Sequence, residues 1–182
     1  MTLQELLTGV LRQLDRGTDA QTVEAWRDKL TVYINDAIVD LANEFQPRRT
    51  DPVTVADGRI DLAALPRPCV KVTALTIGEQ RWPFYYGTGC SELRVPGAAD
   101  GPATLCYRYV PPRLSADTDV PELPEWSHSL LVLYAAGRER AAGDGASLAA
   151  ARACFELYNA AKRGIRAHKG EADAYAFTHR YA

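Results

Sequence analysis

The chain has 182 residues, 47% of them apolar and 24% charged, with 21 basic against 23 acidic side chains and a formal net charge of -2. That is ordinary globular composition, which excludes a globally disordered chain, and the length suits one core with an elaboration better than two independent domains. The near balance of charge gives no whole-chain basis for tight binding to nucleic acid or to a membrane surface.

Leu3, Leu6, Leu7, Val10, Leu11 and Leu14 recur at helical spacing opposite Gln4, Thr8 and Arg12, which predicts a first helix ending near Gly17. Thr18 or Asp19 can cap a second and longer helix. Its buried face is expected to hold Val23, Trp26, Leu30, Tyr33, Ile34, Ala37, Ile38, Leu41 and Phe45, with Pro47 as the stop.

From Pro47 to Pro112 the texture changes to short runs of Val, Ile, Thr and aromatic residues punctuated by Pro and Gly, the composition of a small β-rich insert. Val53–Val55 and Arg59–Leu62 flank Asp57-Gly58, a dipeptide that accepts the positive φ angles of a tight hairpin turn. Cys69–Ile77, Arg81–Tyr85, Glu92–Val95 and Thr104–Val110 supply further strands. Alternation in the last of these sends Leu105, Tyr107 and Tyr109 to one face and Cys106, Arg108 and Val110 to a wetter one.

Helical periodicity returns after a linker at 111–121, with Pro124 at a first turn and Trp126, Leu130, Leu131, Leu133 and Tyr134 lining the face that follows. Gly143-Asp144-Gly145 ends this helix. The last helix, Ala146–Lys169, is expected to bury Leu148, Ala151, Phe155, Tyr158 and Ile165 and to stop at Gly170. The expected fold class is therefore α+β: a bundle of about four helices with a small antiparallel β-rich insert between the second and third. The helical core takes residues 1–46 and 113–170, the insert 47–112, and a C-terminal docking tail 171–182.

The sequence names no catalytic residue, cofactor site or metal site. Cys69, Cys90, Cys106 and Cys154 form no CxxC pair and read most simply as small apolar fillers. Cys154 with His128 is the least poor nucleophile and base for a hydrolase, and Asp36 with Asp40 could give two metal ligands but no third. Gly87-Thr88-Gly89 lacks the lysine and following helix of a phosphate loop and reads as a turn. No run approaches the ~18 to 20 apolar residues that span a bilayer, and Met1–Thr8 lacks the character of a signal peptide, so a cytoplasmic site of synthesis with no membrane partner is expected.

Two features point to contacts. Trp82, Phe84, Tyr85 and Tyr86 suit either a binding edge or the core of the β insert. Lys162, Arg163, Arg166 and Lys169 near the end of the last helix suit an acidic partner or DNA phosphates, or else compensate the helix dipole. Tyr175, Phe177 and Tyr181 make the chain end a candidate for docking on a partner or a neighbouring subunit.

The order of these elements, with Val120-Pro121-Glu122-Leu123-Pro124-Glu125-Trp126 running into Leu130–Arg138, resembles the head-to-tail adaptors of tailed bacteriophages, also called neck or head-completion connectors. Gly143-Asp144-Gly145 with the alanine-rich helix through Phe155, the Asn43-Glu44-Phe45 helix end, and Ile60–Leu62 to Leu65-Pro66 leading into Val70–Val72 carry the rest of the resemblance. It implies a structural virion protein and no enzyme: a homo-oligomeric ring, commonly of twelve copies. Such a ring binds the portal protein above and tail-completion or tail proteins below, and double-stranded DNA passes transiently through it. A nonviral oligomerisation module is the alternative.

Overall fold

The computed structural model describes residues 1–87, 91–143 and 145–178, and of 145–146 and 166–178 the backbone only. The chain is α+β, with four α-helices and antiparallel sheets. In chain order it forms α1 (Leu3–Gln13), α2 (Ala20–Phe45), β1 (Arg48–Val55), β2 (Arg59–Asp61), β3 (Cys69–Ile77), β4 (Gln80–Arg81), β5 (Tyr85–Tyr86), β6 (Glu92–Arg94), β7 (Gly101–Tyr109), a 3-10 turn (Glu125–Ser127), α3 (His128–Arg140) and α4 (Gly145–Thr178). Two compact units result, Met1–Phe45 with Pro112–Ala182, and Gln46–Pro111.

In the helical unit, α1 starts where the Thr2 hydroxyl accepts from the Glu5 N–H while the Glu5 carboxylate accepts from the Thr2 N–H. Asp19 caps α2 by accepting from the Thr22 hydroxyl at 2.6 Å and from the Thr22 N–H at 3.0 Å, and these bonds hold its carboxyl below the usual range. Helix α3 packs against each of the other three. The core is built from the leucine stripe of α1, from Leu30, Ile34, Ile38 and Leu41 of α2, from Leu131, Ala135 and Ala136 of α3, and from Tyr158 and Ile165 of α4. The α3–α4 approach depends on Gly137, where an added Cβ would stand 3.2 Å from both Cys154 and the Phe155 ring. Cys154, packed here, is buried.

The linker expected at 111–121 is tied into the helical unit. Asn35, buried on α2, donates to the Leu114 carbonyl at 3.0 Å and accepts from its N–H at 2.8 Å. The backbone carbonyls of Asp119 and Asp117 accept from Leu3 and Gln4 at the start of α1, and the Asp117 carboxylate accepts from both terminal guanidinium nitrogens of Arg27. Two further expectations fail here. Leu148 is exposed, and α4 continues past Gly170 to Thr178. One helical glycine costs only about 1 kcal/mol, and the alanine-rich stretch after it favours helix.

In the β unit the strands form a four-stranded sheet, β1-β7-β3-β4, and a three-stranded sheet, β2-β6-β5. Both contribute to one core, including Val55, Ile60, Val72, Leu75, Leu93, Leu105 and Tyr107. The Asp57-Gly58 turn forms, with φ of 52° and 67°, and closes the mutual bonds of Ala56 and Arg59. Beyond that bridge the expected hairpin parts: β1 pairs along its whole length with β7, and β2 with β6. The single strand expected over Arg81–Tyr85 is divided into β4 and β5, which belong to different sheets. Asp51 turns inward and accepts from Arg49 and from the buried Tyr107 hydroxyl at 2.7 Å. Arg49 first, then the Tyr107 hydroxyl, holds the Asp51 carboxyl below its usual range, while burial and Asp51 push Tyr107 up to about 12.

Candidate functional site

The aromatic run after β4 is both core and surface, depending on the residue. Trp82 and Phe84 pack against the β core, and the Trp82 indole donates to the Pro96 carbonyl at 3.1 Å. Tyr86 stacks edge-on to Phe84, and its hydroxyl accepts from the Val72 N–H at 2.7 Å, yet much of its ring remains exposed. Tyr85 is 53% exposed, the most exposed side chain of the four. The run thus fixes a tyrosine pair on a rigid, half-buried base, an arrangement that presents contact area at small entropic cost.

The basic cluster on α4 divides in the same way. Lys162 reaches both carboxylate oxygens of Asp40 at 2.7 Å and Glu44 at 3.6 Å, so its charge is met within the helical unit. The Tyr158 hydroxyl donates to the same Asp40 at 2.5 Å; burial first, and then Asp40, raises its pKa. Arg163 is exposed. Arg166, Lys169, Tyr175 and Phe177 belong to the stretch of α4 described by backbone alone, and Tyr181 lies outside the described residues, as does Cys90.

The residues considered for chemistry are engaged elsewhere. His128 is buried, with Nδ1 accepting from the Met1 amino group at 2.9 Å and Nε2 donating to the Leu123 carbonyl at 3.1 Å. That arrangement requires the neutral Nε2–H tautomer, and burial pushes its pKa below the ordinary imidazole value. Asp36 lies 3.8 Å from Arg138, and Asp40 is held as above. Among the described residues no group of His, Cys, Asp and Glu could hold a metal ion, and no helix is long and apolar enough to cross a membrane. Cys69 and Cys106 are half-buried free thiols, and burial raises the Cys69 pKa away from reactivity.

The helical unit exposes apolar residues that periodicity did not separate from its core. Trp126 is 63% exposed and touches Phe45 edge-on, with centroids 5.5 Å apart. It belongs to the 3-10 turn before α3, so it is out of phase with the buried face on which the sequence placed it. Val32 and Val39, seven residues apart on α2, and Leu157 on α4 are also exposed.

A family model described as SU10 adaptor protein matches residues 1–180. No curated protein matches the chain.

Proposed function

The chain belongs to the SU10 adaptor protein family, a phage adaptor with a structural role, and from that premise we propose that it forms a ring beneath the portal, joining head to tail. The observation that carries this is a family match spanning 180 of the 182 residues, so both units fall within it. The ring has about twelve copies, binds the portal on one side and tail-completion or tail proteins on the other, and lets double-stranded DNA pass. The protein acts without catalysis and resides in the neck of the virion after synthesis in the host cytoplasm.

A closed ring needs two different faces that meet head to tail. The helical core of 1–46 and 113–170, with Trp126, Val32, Val39 and Leu157 exposed, and the insert of 47–112, with Tyr85 and Tyr86 exposed, supply distinct surfaces for such contacts. Trp82 and Phe84 support the tyrosines from below. The segment 171–182, carrying Tyr175, Phe177 and Tyr181, docks on a partner ring or neighbouring subunit, and Arg163, Arg166 and Lys169 supply contacts to an acidic partner.

Mass photometry and negative-stain imaging of the purified protein, alone and with the portal encoded beside its gene, test this. Closed rings that stack on the portal, or monomers that assemble only on it, are expected. Monomers indifferent to the portal would overturn the reading, and rings that never bind a portal would favour a nonviral oligomerisation module.

A further inference from the structure

The register of the four-stranded sheet assembles a feature that no stretch of sequence contains. Arg48 of β1 is paired with Arg108 of β7, and Arg108 in turn with Lys71 of β3, so three cations stand side by side in one row. Paired residues share a face of a sheet, and with strands about 4.8 Å apart the row is roughly 10 Å wide at the backbone. The face is the outward one, because the alternate residues Leu105 and Tyr107 are buried in the core. The next rows are Thr50, Cys106 and Ala74, then Pro52, Thr104 and Thr76, with Arg81 of β4 opposite Thr76. No carboxylate occurs in any of these rows.

Like charges directly opposite one another destabilise a sheet. Among the described residues nothing offsets that cost: the side chains of Arg48, Lys71, Arg81 and Arg108 make no hydrogen bond or ion pair there. The Nε of Arg108 is even withdrawn from solvent without an acceptor. Lys162 shows the contrast, having two carboxylates of its own chain. We propose that this outward sheet face binds the phosphate backbone of duplex DNA without regard to sequence.

The chemistry of the rows selects that partner over an acidic protein surface. Guanidinium, ammonium and threonine hydroxyl groups are the side-chain donors that meet phosphate oxygens. A duplex presents one negative charge for about every 1.7 Å of its axis, so one lying across the row meets several phosphates at once. A protein partner would instead need aromatic or large apolar anchors, and these rows contain none. The absence of aromatics from them also favours the duplex over single strands, whose bases stack on aromatic rings. This goes beyond the joint proposed above and holds whether or not a ring forms.

The test is fluorescence anisotropy of a labelled 20-base-pair duplex with the full chain across a salt series. Each neutralised phosphate contributes about -0.9 to the slope of log K against log salt, so the three-cation row gives a slope of roughly -3. The variant Arg48→Gln/Lys71→Gln/Arg108→Gln is expected to bind at least about tenfold more weakly at low salt, with its slope falling toward zero. Arg12→Gln, on exposed α1 surface, is expected to behave as the parent. Relief of the like-charge row leaves the triple variant melting no lower than the parent, and should it fail to fold, the single charge reversal Lys71→Glu carries the same test. Unchanged DNA affinity and slope in these variants would overturn the proposal. So would a triple variant that keeps its DNA binding but loses self-association or portal binding, which would make the face a protein interface. Ring assembly is read in the absence of DNA, so failure of one proposal is distinguishable from failure of the other.

Discussion

His128 gives the helical unit a dependence on pH whose sign follows from burial. Its folded pKa lies below the ordinary value of about 6.5, so the unfolded chain takes up the proton first as pH falls. Stability is therefore complete above that value and declines on acidification until the buried ring is itself protonated. Urea unfolding at pH 7.5 and at 5.5 is expected to show the loss, and His128→Gln to flatten it while lowering stability at the higher pH. Asn35 is the other polar residue on which the unit depends. Asn35→Ala leaves the Leu114 N–H and carbonyl without partners, and the same measurement is expected to register a loss of about 2–3 kcal/mol. Little of this was legible beforehand, because the partners of Asn35, His128 and Lys162 lie 79, 127 and 122 residues away along the chain. A polar residue's type announces that it will seek a partner, not which partner the fold brings to it.

Among the elements, helices were the more readable, since α1 and α2 carry their buried face as a 3.6-residue rhythm within a single continuous stretch. Strand positions were nearly as clear, with Cys69–Ile77 matching β3 end to end, but their partners were not. Short strands specify which face is apolar without specifying a neighbour, so β1 passes over the adjacent β2 and pairs with β7. The cation row was hidden for the same reason: Arg48, Lys71 and Arg108 are unremarkable until register aligns them. The seam of α3 with α4 offers a direct test of packing. Gly137→Leu must displace Cys154 and Phe155, and is expected to cost about 1–3 kcal/mol in thermal or urea unfolding. At the end of α4, Ile165 is the last buried side chain described. Deletion of 171–182 is accordingly expected to leave the monomer's circular dichroism and melting near those of the parent while weakening assembly by mass photometry; unchanged assembly and infectivity would remove the docking role.

For the molecule as a whole, no described residue belongs to both apolar cores. Leu105→Ala is expected to cost about 2–5 kcal/mol, and hydrogen exchange should report that loss chiefly within residues 46–111. The two units also differ in how the chain supplies them: the β unit is one uninterrupted stretch, whereas the helical unit is made of two pieces. Since α3 is the helix against which the other three pack, and it begins only at His128, translation delivers the β unit complete before the helical core has its centre. Throughout that interval α1 and α2 emerge from the ribosome with their leucine stripe lacking its α3 partner. A stalled nascent chain with 120 residues outside the exit tunnel should thus yield a protease-resistant fragment spanning the β strands, while its first 45 residues are digested. Chaperone demand during synthesis then falls on α1 and α2, which emerge before the β unit and complete their core after it.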